Sequence, residues 1–303
     1  MIVLDLLNKK TIRQIRRIDA ENIRQELKLF PINSKKHIEF QGLNNRQIVS
    51  SNRTVNRECL SESSIKDYVQ KASSFFEWCN QNEYTDINPF KGIRFRKTAK
   101  DNSAKQHYTY DQLTKIFTHE GFTKKAFKYD YQFWLPFLGY YTGARLNELC
   151  QLYRDDVIQI DDLWCLHIRS TREDQRLKNI NSERIIPLHS KLIEMGFVEF
   201  ATKSDTRRVF DELSLKRDGY GTVASKWFGR FKKSLRFTKG HDFHSFRHTF
   251  ATQLKHSSIN VHTAADLLGH TCSNISYERY GKSQKISLLK AAIEEIEPIL
   301  LKK

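Results

Sequence analysis

Apolar residues along this chain recur mostly at three- and four-residue intervals, the period of a helix with one buried face. The run IRQIRRIDAENIRQELKLF sets Ile12, Ile15, Ile18, Ile23 and Leu27 on one side with basic residues between them. LSESSIKDYVQKASSFFEWCNQN opens on a Ser-x-x-Ser cap and lines up Ile65, Tyr68, Val69, Ala72, Phe75 and Phe76. Asn88–Pro89 stops that segment, because proline lacks the amide hydrogen a helix needs and pushes its predecessor out of helical geometry. The stretch RFRKTAKDNSAKQ, about 94–106, is polar, basic and without period, and reads as a linker lying near phosphate.

A second helical region begins at YTYDQLTKIF, with Asp111 near its start. YQFWLPFLGYYTGARLNELCQL stays apolar up to Thr142–Gly143 and then places Arg145 and Glu148 on a helix. The pattern changes only across residues 160–188. There DLWCLHIRS has strand composition, RIIPLHSKLIEMGF reads as a strand passing into a helix through Pro187, and TREDQRLKNINSE forms a long, polar, mobile hairpin. The tail SLLKAAIEEIEPILLKK is amphipathic, with Leu288, Leu289, Ala292, Ile293 and Ile296 on one side. The expected fold is mainly α with a small antiparallel β-sheet. It divides into two domains, residues 1–97 and 107–303, joined by a linker over 98–106.

Charge narrows the function. The chain carries 51 Lys and Arg against 35 Asp and Glu, a formal +16, of which residues 1–98 contribute +7 and the remainder +9. Two basic halves suit a polyanion gripped by both, nucleic acid above all, whereas one basic tail would concentrate the excess. A basic enzyme with no nucleic-acid partner is the plainer alternative. The five cysteines, Cys59, Cys79, Cys150, Cys165 and Cys272, are odd in number, scattered, and free of CxxC spacing, as reduced thiols are. No run of about 18 apolar residues would span a membrane. MIVLDLLNKK lacks the basic start and small-residue cleavage site of a signal peptide. The expectation is a cytoplasmic protein.

The chemistry concentrates in HDFHSFRHTFATQL, residues 241–254. His244 and His248 have the i, i+4 spacing of two zinc ligands, but the residue beside the first is Ser245, where a zinc protease needs glutamate, and no third ligand follows. No metal or other cofactor is expected. His244 and Arg247 stand at i, i+3, on one helix face, where a guanidinium fork and a proton-transfer group could both meet a phosphate. Arg145 follows a Thr-Gly turn after an apolar helix and needs either a job or a partner there; a surface pair with Glu148 would supply the partner. LLGH ends a helix at Gly269 with His270 on the corner, and Tyr280 and a glycine follow. Taken singly, such a histidine is usually a cap and such a tyrosine usually packing.

In order, TGAR-x-x-E, H-x-x-R-H-T and LGH followed by RY resemble the tyrosine recombinases, or phage-type integrases, and the resemblance extends over nearly the whole chain. It implies a helical core-binding (SAM-like) DNA-binding domain at 1–97 and a catalytic domain at 107–303. It implies that Arg145 and Arg247 clamp the scissile phosphate and that His244 and His270 hydrogen-bond it and assist proton transfer. Tyr280 is the implied nucleophile, with Tyr277 a nearby competitor because the interval from His270 is one residue longer than is commonest in the family. Lys178 matches the lysine that protonates the leaving 5′-hydroxyl, with a solvated surface lysine as the plainer alternative. Glu148 matches the acidic residue supporting the first arginine, and His248 a position of structural use.

The implied reaction is metal-free cleavage and rejoining of double-stranded DNA at a specific recombination site through a covalent 3′-phosphotyrosine. It would integrate or excise a bacterial mobile element or phage genome. The protein would be a monomer free in solution and a homotetramer on DNA, with accessory DNA-bending proteins as further partners and no membrane association. The family's last helix often docks into a neighbouring subunit, and docking in trans is expected here ahead of packing in cis. Lys226, Arg230 and Lys233, close together on the helix ASKWFGRFKKSLRF, and Arg94 and Arg96 beside the linker, are candidate DNA contacts. Two rival readings remain at this stage: a DNA-binding or architectural protein that has lost cleavage, and a type IB topoisomerase.

Overall fold

The computed structural model describes residues 2–95, 106–179, 182–203, 207–237, 240–270 and 285–299. The chain divides into two compact units, Met1–Lys100 and Asp101–Lys303, each with its own apolar core.

The first unit is built from α1 (Ile2–Leu7), α2 (Arg17–Lys28), α3 (Asn45–Val55) and α4 (Glu62–Gln81). The long periodic run from Ile12 is not one helix. Arg16 is extended, its N–H donates to Asp19 Oδ2 at 2.9 Å, and α2 starts afresh there. Ile12–Gln14 make only a 3-10 turn. Ile18, although in phase with the apolar face, is 66% exposed, and α2 buries Ala20, Ile23 and Leu27 instead. α3 has no counterpart in the sequence pattern, because it buries only Ile48, Val49 and Asn52, too few to establish a period. α4 follows its pattern: Ser61 accepts from Ser64 N and caps it, and Ile65, Val69, Ala72 and Phe76 are buried. Arg94 is exposed at the end of this unit, and Arg96 lies outside the described residues.

The second unit begins with α5 (Tyr110–Phe117), α6 (Glu120–Thr123), α7 (Asp130–Thr142) and α8 (Leu146–Cys150). A three-stranded antiparallel sheet follows, in the order β1 (Val157–Ile160), β2 (Leu163–Ile168), β3 (Arg184–Pro187). Asp161 and Asp162 both take positive φ, the backbone of a tight two-residue hairpin between β1 and β2. Then come α9 (Ser190–Glu194), α10 (Phe197–Lys203), α11 (Gly221–Ser234), α12 (His244–His256), α13 (Val261–Leu268) and α14 (Ile286–Glu294). From Tyr131 to Thr142 every residue of α7 is buried, so this helix is the centre on which α8, α11 and α12 pack. The mainly helical fold with a small antiparallel sheet therefore stands as expected. Among the described residues no helix is long and apolar enough to cross a membrane.

In the single chain α14 packs on its own unit, burying Leu289, Ala292, Ile293 and Ile296, while Leu288 is 55% exposed. The reason lies in α7. Tyr140 and Tyr141 are buried, and a buried hydroxyl needs a partner. The Tyr140 hydroxyl donates to Glu297 O at 2.9 Å, and the Tyr141 hydroxyl accepts from Ile299 N at 2.8 Å.

Candidate active site

Four element ends and one strand converge in the second unit. α7 stops at Gly143, whose φ of +61° suits glycine and where a Cβ would stand 2.5 Å from the Phe250 ring. The turn aims Gly143 O at Arg247 Nη1, which donates to it at 2.9 Å. Arg145 then caps α8. Its backbone N–H donates to Glu148 Oε2 at 2.9 Å, and its Nη1 donates to Glu148 Oε1 at 2.7 Å and to Ser182 Oγ at 3.3 Å. The pair anticipated from the sequence forms, but not at the surface, since the Glu148 side chain is only 4% exposed.

Glu148 has a second cationic partner. Arg184, at the start of β3, donates from Nη2 to Glu148 Oε2 at 2.9 Å, from Nε to Leu267 O at 2.8 Å and from Nη1 to Ser182 O at 2.7 Å. Strand alternation puts Arg184 on the buried face with Ile186. The sequence offered only that weak signal, because in RLKNINSERIIP the residue looks like one more hairpin cation beside Arg172 and Arg176.

α13 ends in a Schellman motif: Gly269 N donates to Asp266 O and His270 N to Ala265 O, with Gly269 at φ +63°. This corner fixes His270, whose Nε2 lies 2.8 Å from Arg247 Nη2. Arg247 also donates from Nη2 to Leu268 O. A guanidinium can only donate, so His270 Nε2 must accept and the ring proton belongs on Nδ1. His244 opens α12 half-buried, its ring edge-on to that of His248 at 5.0 Å. Among the described residues no group of three or more His, Cys, Asp or Glu side chains is gathered as metal ligands would be.

The electrostatics are those of an anion site. Two guanidinium groups, those of Arg145 and Arg184, bond one carboxylate, and a third, that of Arg247, feels its charge and theirs. Burial disfavours the charge on Glu148, but Arg184 and then Arg145 outweigh it and hold its carboxyl below the usual glutamate value. Burial, reinforced by Arg145 and Arg184, presses Arg247 down to about 9, still cationic at neutral pH. Burial and then the charge of Arg247 lower the pKa of His270, which favours the neutral ring that the hydrogen bond requires. The cluster thus holds one negative and three positive groups, an excess that an oxyanion would neutralise.

The structure therefore brings Arg145, Glu148, Arg247 and His270 together and adds Arg184. Lys178 is exposed on the hairpin between β2 and β3. Lys226, Arg230 and Lys233 are exposed on α11. Tyr280 and its competitor Tyr277 lie outside the described residues.

Residues 107–286 match the model of the phage integrase family. A tyrosine recombinase of Thermosipho africanus is 24% identical over 216 residues, covering 69% of this chain and 68% of that protein. The tyrosine recombinase XerC of Oceanobacillus iheyensis is 27% identical over 217 residues, 70% of this chain and 67% of its own. Among solved structures, the Tn1549 transposon integrase in complex with a circular intermediate DNA aligns with a TM-score of 0.59 at 19% identity, over 97% of this chain and 91% of that one. A lambda integrase dimer bound to a COC′ core site aligns with a TM-score of 0.57 at 16% identity, over 94% and 88%. At such identities the structural likeness speaks for the fold. The family match covers more than half of the chain and runs through the arginine–glutamate–histidine cluster, and the chain belongs to the phage integrase family of tyrosine recombinases.

Proposed function

We propose that this protein recombines double-stranded DNA at a specific site, integrating or excising a mobile element, and that the cluster around Glu148 binds the scissile phosphate. The observation that carries this reading is the convergence of Arg145 and Arg184 on a single buried carboxylate, with Arg247 in their electrostatic field and His270 against Arg247. A phosphodiester brings one negative charge, which two guanidinium groups could share as it grows in the transition state, a task metals often perform elsewhere.

In this mechanism the Tyr280 hydroxyl oxygen attacks phosphorus while the bond from phosphorus to the 5′-oxygen breaks. A tyrosine hydroxyl ionises near pH 10, so its proton must be taken, and the pair His244 and His270 is suited to receive it. Lys178 gives a proton to the departing 5′-oxygen. The product is a 3′-phosphotyrosine that retains the bond energy. A 5′-hydroxyl from another strand reverses the steps without ATP.

The first unit serves as the core-binding domain. Arg94, Arg96 and the α11 residues Lys226, Arg230 and Lys233 contact backbone phosphate. The lambda integrase has been solved as a tetramer bound to a Holliday junction, and four copies on two duplexes are the assembly proposed here. Accessory DNA-bending proteins and a cytoplasmic location go with that reading.

The test uses a nicked suicide duplex carrying a site selected by binding from random sequence, incubated in EDTA. A covalent protein–DNA band that survives SDS and disappears in Tyr280→Phe is the expected result. A band lost in Tyr277→Phe but kept in Tyr280→Phe moves the nucleophile. No band on DNA that the protein binds would replace the proposal with a non-cleaving DNA-binding role, and relaxation of plasmids lacking the site would replace it with topoisomerase activity.

A further inference from the structure

We infer that Gln175 is a positioning residue for Lys178, clamping the hairpin that carries it to the end of α8; this rests on the proposed role of Lys178 as proton donor. The hairpin between β2 and β3 reads from the sequence as a long mobile loop. Its first limb is instead built like a core. Gln175 is 4% exposed and its side-chain amide is fully engaged. Nε2 donates to Asp156 Oδ2 at 3.0 Å and to Gln151 O at 3.4 Å, and Oε1 accepts from Thr171 N at 3.2 Å. One residue on, Arg176 N donates to Gln151 Oε1 at 3.0 Å, the same oxygen that accepts from Asn147 Nδ2 at 3.1 Å. Asp156 and Gln151 are themselves 0% and 2% exposed, so these bonds are made out of reach of water, where an unmade one is costly.

A second buried residue, Ser182, follows Lys178. Ser182 is 1% exposed, and its Oγ accepts from Arg145 Nη1. Lys178 therefore rises from a loop with a buried anchor three residues before it and another four residues after it, and the second anchor touches the phosphate-clamp arginine. α8 joins both ends, since it carries Glu148 towards Arg184 and is followed at once by Gln151, which faces the hairpin. An exposed lysine needs such a scaffold to act as an acid, because proton transfer requires its Nζ within hydrogen-bond reach of the 5′-oxygen. The first anchor has no contact with the phosphate cluster in its own right, so its loss should reach catalysis through Lys178.

The leaving group tells this role from a merely structural one. When phosphorus is attacked, the 5′-oxygen departs with the bonding pair and must take a proton from Lys178. A sulfur in place of that bridging oxygen departs as a thiolate, stable because thiols ionise near pH 8.5, and needs no acid. Full-length wild type, Gln175→Met, Gln151→Met and Lys178→Ala would each be assayed for single-turnover cleavage of suicide duplexes bearing bridging oxygen or sulfur. The oxygen-to-sulfur rate ratio within one protein does not depend on how much of it is folded, and Gln151→Met provides a second route to the same clamp should Gln175→Met be insoluble. The expected result is that Gln175→Met slows oxygen cleavage by about 100-fold, the scale of a misplaced catalytic group, while sulfur cleavage stays within about threefold of wild type. Equal slowing on both substrates, or none on either, overturns the proposal. A Lys178→Ala defect that sulfur fails to relieve refutes the acid itself and takes the proposal with it. Relief in Lys178→Ala without relief in Gln175→Met refutes only the clamp.

Discussion

Arg184 reaches from β3 to Glu148, Nη2 to Oε2 at 2.9 Å, so the carboxylate that supports Arg145 is itself held from the far side. The two side chains are 5% and 4% exposed. Removing one partner from a buried pair leaves an uncompensated charge and typically costs about 3–5 kcal/mol. Here Glu148→Gln would leave three guanidinium groups with no counter-ion. The expected outcome is a loss of that order in urea-unfolding free energy of the Asp101–Lys303 unit, with cleavage abolished. Arg184→Met should also destabilise, and added phosphate should recover less of its thermal stability than of wild type's, because the anion site has lost a cation. Wild-type stability in Glu148→Gln would show that the carboxylate does not organise the cluster.

Much of this arrangement was legible in the residues. TGAR-x-x-E gave Arg145 and Glu148, H-x-x-R gave Arg247, and LGH gave the corner histidine, because each motif sits at a helix end whose capping chemistry is local. Arg184 was not legible. Its role depends on which face of a four-residue strand is buried, and RIIP reads the same either way until the sheet packs on α13. The clamp at Gln175 was hidden for a related reason, since its partners Gln151 and Asp156 lie 24 and 19 positions away in sequence and no periodicity links them. Ile18 shows the opposite failure: it keeps the helical phase and yet is exposed, because the cap formed by Arg16 and Asp19 restarts the helix.

Gly269 joins α13 to His270 with a left-handed backbone, and a Cβ there would stand 3.0 Å from Arg184 Nη1 and 3.2 Å from its Cδ. A non-glycine residue in this conformation costs about 1–2 kcal/mol before any clash. Gly269→Ala should destabilise by at least that much. It should also depress single-turnover cleavage beyond what the folded fraction explains, since it displaces both Arg184 and His270. Asparagine tolerates the left-handed region better, so Gly269→Asn should be the milder change in melting temperature. A Gly269→Ala protein that melts and cleaves like wild type would mean the corner is not under this constraint.

The neutral state of His270 gives a pH dependence of definite sign. Burial and then Arg247 lower its pKa from the ordinary 6.5. Between the lowered folded value and 6.5 the unfolded chain binds a proton that the folded chain refuses, so this group makes stability rise with pH across that window. Acidification from pH 7.5 to 5 should therefore lower the melting temperature, and part of the drop should vanish in His270→Gln. His189 and His241, also lowered by burial, contribute in the same direction, so the informative quantity is the difference between the two proteins. Parallel curves for wild type and His270→Gln would show that the imidazole titrates alike in both states. Cleavage should hold across that window and fall only below it, once the folded protein takes up the proton, because an imidazolium cannot accept from Arg247.

Lys226, Arg230 and Lys233 recur at intervals of four and three residues along α11 and are all exposed, while the opposite side of the helix buries Ala224, Phe228 and Phe231. A solvated helix face and a phosphate-binding face look alike in a single chain, and salt separates them. Each phosphate neutralised releases condensed counter-ions, so the slope of log affinity against log salt changes by about 0.9 per contact on duplex DNA. The triple variant Lys226→Ala, Arg230→Ala, Lys233→Ala removes no buried group and should keep the wild-type melting temperature to within about 1 kcal/mol of stability. Its affinity for selected and random duplexes should fall together, and the magnitude of its salt slope should shrink by up to about 2.7 if all three residues meet phosphate. An unchanged slope would assign the stripe to solvent and leave the DNA-facing charge of this unit to be sought elsewhere, beginning with the hairpin cations Arg172 and Arg176 beside Lys178.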